Sequence, residues 1–465
     1  LLFLPENSGP ENSGNVVLFK VIRVAITILC LLLPLLVSIT PAFAQSKRIL
    51  IRDAETESTI RAYTKPLFEA AGLVPSDVGI KLILDSSLNA FVTGGQNIYL
   101  HTGLILNTTN VDELIGVIAH ETGHISGGHL ARSSDAMNDA KTLGIVATIL
   151  GVSAGILSGR GDVAAAAAAG GTELTKRSFL KFSRTQESSA DQAALTLLES
   201  NGMSARGLYD FLHVLEDNDL LSPERQDPYQ RSHPVTRERI AVIENHMVDS
   251  PFTDARPPSA VQLAHDRVRA KLFAYTHPFI TTLREYPKTD TSIAARYARA
   301  FAYYKRPDLE TALTLIDELI TEMPEDAYFH ELKAEMLFDH GQVAQAVPYY
   351  ELASSLAPDT AILLIELARA QVATEDPAMM EPAIKNLKRS LFFEPRSSFA
   401  WNQLAIAYGR SDRMGLSALA MAEEAMLQRR YSDAVYQAGK AETMFNPGTK
   451  EHLQAADIMN AAENA

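Results

Sequence analysis

The chain has 465 residues, of which 46% are hydrophobic and 21% charged, and its net charge is −14. This is the composition of a folded protein too long for one ordinary core, and it calls for two domains of roughly 200 residues each. An acidic chain without a long stripe of Lys and Arg argues against nucleic-acid binding, because phosphate recognition needs clustered cations.

Lys20 and Arg23 precede an apolar run from Val24 to Thr40, and Ala42-Phe43-Ala44 then supplies a small-x-small cleavage pattern before polar Gln45 and Ser46. The layout is that of an export signal cut after Ala44. The competing reading is an uncleaved anchor, since the run approaches the lower length limit for a bilayer span. The only cysteine, Cys30, lies inside the run behind Leu29, where a lipoprotein signal needs a small residue. The mature chain therefore has no thiol to oxidise, which suits an oxidising compartment.

Residues 47–130 mix strand and helix signals. Leu82-Ile83-Leu84 reads as a strand. Ala90-Phe91-Val92 and Ile98-Tyr99-Leu100 flank a Gly-containing loop and read as a hairpin. Asn110 and Glu113 have capping-box spacing for a helix whose buried face carries Leu114, Ile115, Val117 and Ile118. Leu143 to Ser158 is almost wholly apolar, and Ala164 to Ala169 is an uninterrupted alanine run. A buried helical hairpin is the preferred reading there; the sharper alternative is peripheral contact with a membrane surface.

Ser250-Pro251 and Pro257-Pro258 mark a linker, after which the chain is helical with Pro punctuation. Pro324 and Pro358 are 34 residues apart, and Pro395 follows 37 later. Thirty-four is the tetratricopeptide period. Ala312, Ala346, Ala383 and Ala434 recur in phase, and the run from Trp401 to Tyr408 fits the first helix of such a repeat. Each unit buries its apolar face only against a neighbour, so four to five units are expected to stack between residues 260 and 460. The bland alternative is an irregular helical bundle.

The central chemical signal is His120-Glu121-Thr122-Gly123-His124. On a helix, positions four apart share a face, so both imidazoles can hold one zinc ion, with Glu121 beside the open position as general base. The alternative is a buried histidine pair. A catalytic zinc needs a third protein ligand. Gly127 is in phase with a three-histidine pattern, but position 130 is Leu, and His129 is one residue off and on helical phase points elsewhere. A carboxylate from a later helix is the other option. Ser183 to Glu199 reads as that helix. Glu187 and Asp191 share one of its faces, the first as ligand and the second holding the far nitrogen of a ligating histidine. Alone, such an acidic pair is a solvated face; beside the upstream motif the functional reading prevails.

The metal helix, the Glu187-Ser188-Ser189-Ala190-Asp191 segment 63 residues after His124, and Ser232-His233-Pro234 followed by Arg239 together resemble the HtpX and CaaX-protease superfamily of zinc metallopeptidases. With the export signal and the repeats, the chain is similar to the periplasmic beta-barrel assembly-enhancing protease subfamily of Gram-negative bacteria. Asn89-Ala90-Phe91, Gly94-Gly95, Gly103-Leu104 and His129-Leu130-Ala131-Arg132 match the same subfamily. Several repeats fit their consensus poorly, which leaves their boundaries open.

The resemblance implies an α+β zincin-like metallopeptidase domain followed by an all-α tetratricopeptide-repeat solenoid. The division is 1–44 for the extension and signal, 45–255 for the peptidase and 256–465 for the repeats. It implies one Zn2+ per chain on His120, His124 and Glu187, with Glu121 as general base and Asp191 behind the ligands. It also implies that His233 is an autoinhibitory ligand in the open position and that Arg239 stabilises the transition state. The expected protein is a periplasmic endopeptidase acting on unfolded or misassembled outer-membrane proteins, with the repeats docking assembly machinery. An extended substrate is expected to add as a strand beside Ile98-Tyr99-Leu100. Two rivals stand beside it: a non-enzymatic chaperone or adaptor built on the repeats, and an integral-membrane peptidase spanning at residues 24–40 and 143–158.

Overall fold

In the computed structural model the described residues are 49–129, 132, 141, 183–218 and 233–465. The signal segment and the apolar stretch at 143–171 lie outside them. Residues 49–465 form one compact unit. Among the described residues, no helix is long and apolar enough to cross a membrane.

Among the described residues, four short strands make one sheet in the order β1-β2-β4-β3: β1 Leu50–Ile51, β2 Gly79–Ile83, β3 Ala90–Thr93 and β4 Asn97–His101. β3 and β4 form the expected hairpin, with Ala90 opposite Leu100 and Thr93 opposite Asn97. Its turn requires positive φ at both Gly94 (+62°) and Gly95 (+94°), a conformation that costs glycine little. β4 also pairs in parallel with β2, Ile80 opposite Ile98 and Leu82 opposite Leu100. The expected edge at Ile98-Tyr99-Leu100 is therefore corrected: β4 is internal, both its ladders are used, and the outer strand on that side among the described residues is β3. The hairpin signal alone could not reveal this, because pairing with β2 joins segments far apart in sequence.

α1 (Ala54–Ala70) precedes β2, and α2 (Thr102–Asn107) follows β4. α3 (Val111–Ser126) carries the histidine motif. Residues 183–200 are helical and are termed α4; α5 is Arg206–Asn218 and α6 is Arg237–Asp249. Ile60, Leu67 and Phe68 of α1, the inward side chains of β2 and β4, and Leu114, Val117 and Ile118 of α3 share one core with α4 and α5. At about 25 cal/mol per Å² of buried apolar surface, this shared cluster is the main force fixing α3 under the sheet.

From α7 (Ser259–Thr276) onward the chain is helical. After α8 (Phe279–Glu285) come five antiparallel pairs. They are α9 (Ile293–Lys305) with α10 (Leu309–Glu322), α11 (Ala327–Asp339) with α12 (Val343–Leu356), α13 (Ala361–Ala373) with α14 (Met380–Phe393), α15 (Ser398–Arg410) with α16 (Met414–Leu427), and α17 (Tyr431–Glu442) with α18 (Lys450–Glu463). The phased residues Ala312, Ala346, Ala383 and Ala434 are fully buried where paired helices meet. A 3-10 turn at Pro377–Met379 between α13 and α14 lengthens the third pair, which accounts for the 37-residue interval before Pro395.

α7 belongs to two cores at once. Val268 and Leu272 enter the core shared with the sheet, while Ala270 and Ala274 pack with Tyr297 and Phe301 of α9 and Phe329 of α11. Polar side chains bind it on both sides. Arg267 pairs with Glu55 of α1 (2.6 Å) and with Asp326, the α11 cap (2.5 Å); Tyr297 donates to Glu55 (2.7 Å); Lys271 pairs with Asp53. Removing one partner of a buried ion pair leaves the other charge uncompensated. Arg267→Leu is thus expected to destabilise the protein by about 3–5 kcal/mol. Urea-induced unfolding of the two proteins checks this, and a loss below about 1 kcal/mol would mean the network adds little.

Candidate metal centre

α3 is aimed before it reaches the histidines. The Glu113 carboxylate accepts from the Asn110 amide at 3.4 Å, completing the expected capping box, and Gln262 of α7 accepts from the Val111 amide at 3.0 Å. Two glycines then let neighbouring helices come close. A Cβ on Gly116 would lie 2.7 Å from the Leu208 amide nitrogen of α5, and one on Gly123 would lie 2.7 Å from the Ala190 carbonyl oxygen of α4. At that separation the one-turn pair His120 and His124 faces the one-turn pair Glu187 and Asp191.

Four side chains converge: His120, His124, Glu187 and His233 each offer an atom within 4.8 Å of the others. His120 Nε2 lies 3.1 Å from His124 Nε2, 3.3 Å from Glu187 Oε2 and 3.4 Å from His233 Nδ1. Glu187 Oε1 lies 3.4 Å from His124 Nε2 and 3.1 Å from His233 Nδ1. Tetrahedral ligands at zinc bond lengths of about 2.0–2.1 Å would sit roughly 3.3 Å apart. The cluster fits that edge length, and its donors, three imidazoles and a carboxylate, are the types such an ion takes.

Glu121 is fully buried, and neither carboxylate oxygen has a hydrogen bond among the described residues. The nearest imidazole nitrogen is His233 Nε2, at 3.5 Å. A buried carboxylate left in that condition is costly for stability, which marks it as a group kept for chemistry.

Behind the four lies a supporting layer. Asp191 Oδ1 is 2.9 Å from His120 Nδ1. Arg239, in the first turn of α6, donates to Asp191 from Nε (2.6 Å) and Nη2 (2.8 Å), and its Nη1 lies 3.0 Å from both Glu187 Oε2 and the Pro234 carbonyl. In this arrangement Arg239 positions two carboxylates and the segment bearing His233. Stabilising a transition state would require it to exchange one of these partners for the substrate oxygen.

The electrostatics follow from this packing. Burial alone would lower His120, but its hydrogen bonds to Asp191 and Glu187 push it up to about 9. Burial alone would raise Asp191, but Arg239 and His120 hold it down at about 2. Glu187 is likewise held far below the usual carboxylate range by His233, His120 and His124, against the effect of burial. Burial lowers His124 more than Glu187 restores it. The site is thus built around retained negative charge, as a cation requires.

Sequence reasoning set His129 aside as a third ligand, and it is not among the four converging side chains, although its ring packs directly behind His124. His129 Nδ1 lies 3.0 Å from His124 Nδ1. The helical phase does not carry past Ser126, because Gly128 turns the chain with φ +61° and brings the ring back onto α3. The usable signal was the Gly127-Gly128 pair, which ends a helix and resets its phase. Burial, His124 and Arg132 push His129 down to about 4.

Comparison with known proteins gives the same reading. Residues 54–247 match the description "Peptidase family M48". The beta-barrel assembly-enhancing protease of Yersinia pestis is 24% identical over 406 residues, covering 83% of this chain and 79% of its own. That of Escherichia coli (strain K12) is 24% identical over 414 residues, covering 87% and 82%. Metalloprotease YcaL of the same organism is 27% identical over 172 residues, covering 37% of this chain and 62% of its own.

Because α4 meets the backbone of α3 at Gly123, Gly123→Ala should push the two ligand pairs apart. Metal affinity is expected to fall by about tenfold or more, since centres of this kind tolerate errors of only about 0.5 Å. Chelator competition on the folded variant measures it, and undiminished affinity would show that the helix spacing is not what holds the ligands.

Proposed function

This chain carries a peptidase family M48 domain and is a metal-dependent peptidase, and from that premise we propose that it is a zinc endopeptidase of the periplasm that degrades misassembled outer-membrane proteins. The observation that carries the reaction is the meeting of His120, His124 and Glu187, drawn from two helices, beside the Glu121 carboxylate, which has no hydrogen bond among the described residues. The printed names of the two long relatives, and their match over most of this chain, support the substrate class. The signal-like segment ending at Ala44 supports the compartment.

His120, His124 and Glu187 would hold one zinc ion, which when bound supplies Lewis acidity and lowers the pKa of water. Glu121 takes a proton from the attacking water and returns it to the leaving amine. Asp191 keeps the His120 ring in the tautomer that offers Nε2 inward. An extended substrate would lie as a strand alongside the sheet, where backbone hydrogen bonds give affinity with little demand on sequence. Peptidase over 45–255 and repeats over 256–465 are the proposed division of labour, with the repeats offering docking surface to substrates or assembly machinery.

His233 supports an autoinhibited reading of the same site. Its Nδ1 sits with the other ligand atoms at 3.1 Å from Glu187 and 3.4 Å from His120, and a fourth protein ligand removes the place for water. That closure, with five helix pairs beside it, is also what favours the second reading, a chaperone or adaptor whose centre stays shut.

Two variants test these readings. Glu121→Gln should abolish cleavage of an unfolded outer-membrane β-barrel protein while keeping its metal, because Glu121 is not among the proposed ligands. Equal cleavage by variant and wild type would eliminate the mechanism. His233→Ala should raise proteolysis, by about tenfold if closure is worth about 1.4 kcal/mol. An unchanged rate would remove autoinhibition, and no cleavage by either protein would favour the chaperone.

A further inference from the structure

We propose that His129 is a positioning residue of the peptidase centre: its bare Nδ1 accepts the Nδ1–H of His124 and so fixes the ring that turns Nε2 toward the metal. The inference rests on the reading of His124 as a ligand. His124 Nε2 faces the cage, 3.1 Å from His120 Nε2 and 3.4 Å from Glu187 Oε1. A neutral imidazole that binds through Nε2 carries its proton on Nδ1. That N–H points away from the cage and needs an acceptor. Asp191 serves the equivalent nitrogen of His120 and is further engaged by Arg239. The acceptor for His124 is His129, at 3.0 Å, with the two rings edge to face at 82°. Since only one of two facing nitrogens can carry the proton, the tautomer of His129 follows: Nδ1 bare, Nε2 protonated.

The ring of His129 is itself held in place. It is buried, 4% exposed. Its carbonyl accepts from Gln186 Nε2 at 3.0 Å, and Gln186 is the α4 neighbour of Glu187. The imidazole edge lies on Gly127, where a Cβ would collide with its Nε2 and Cδ2. Gly128, at φ +61°, supplies the turn that brings the ring there. One helix, α4, thereby supplies the third ligand and anchors the support of the second.

The consequence is unequal support for the two imidazoles. His120 is backed by an anion, which raises its basicity, whereas His124 is backed by a neutral ring that orients it without adding charge. Partners of this kind set metal affinity by about 10–100-fold.

The test compares His129→Leu with His129→Asn, whose amide oxygen stands close to the place of Nδ1 and can accept the same proton. Zinc affinity by chelator competition and the visible spectrum of the cobalt-loaded protein are read on variants matched for circular dichroism. His129→Leu should bind zinc about 10–100-fold more weakly with an altered cobalt spectrum, and His129→Asn should stay within about threefold of wild type. A Leu variant that binds as tightly as wild type, or an Asn variant as weak as Leu, would overturn the proposal, the second by reducing His129 to a volume. The zinc-loaded wild type labelled with 15N-histidine gives an independent reading should the Leu variant not fold: His129 must show a bare Nδ1 and a protonated Nε2, and the opposite tautomer overturns it. A wild type that holds no metal would bring down the metallopeptidase reading and this inference together. A metal-binding wild type with an indifferent Leu variant overturns this inference alone.

Discussion

The separation between α3 and α4 is the constraint on which the site depends. Two pairs of side chains, each one helical turn long, must face each other across a gap that an ion fills. Gly123 sets the gap, because only a residue without a side chain lets the Ala190 carbonyl come so near. The apolar core pulls the helices together without regard to direction. The glycines decide where the approach stops, and the caps at Asn110 and Glu113 decide how α3 is inclined when it does. Chemistry at His120, Glu121 and His124 is in this sense a product of packing.

Around that gap the polar groups are arranged in order of charge. Glu187 is innermost, Asp191 stands behind it, and Arg239 closes the set from α6. Arg239 also holds the Pro234 carbonyl, next to the residue that occupies the fourth corner of the cage. The group stabilising the carboxylates therefore also tethers the segment that carries His233. His233, which touches Glu187, and Arg239, which clamps Asp191, are only six residues apart in the chain.

Much of this was legible in the sequence, and what was not has a physical reason. The His120 to His124 spacing, the Glu187 to Asp191 pair and the 34-residue period are local patterns, and helical geometry alone turns each into a position in space. β1 has two residues and no periodicity to read. The burial of β4 between β2 and β3 depends on a pairing across intervening chain, which alternation along one strand does not encode. The contact of His129 with His124 was not legible because helical phase stops at Gly127 and Gly128, where the backbone leaves the helix. The dual packing of α7 was hidden in the same way, since a helix shared by two cores looks like any amphipathic segment.

That shared helix has a consequence for how the molecule comes apart. The proline-rich stretch before Ser259 looks like a place to divide the chain, yet Val268 and Leu272 beyond it complete the peptidase's interior. A fragment ending there would expose the surface those two residues seal, together with a glutamate at position 55 stripped of its guanidinium. Catalytic and repeat halves are thus expected to melt as one transition, so damage far along the solenoid can reach the proteolytic centre as lost cooperativity without any rearrangement of its ligands.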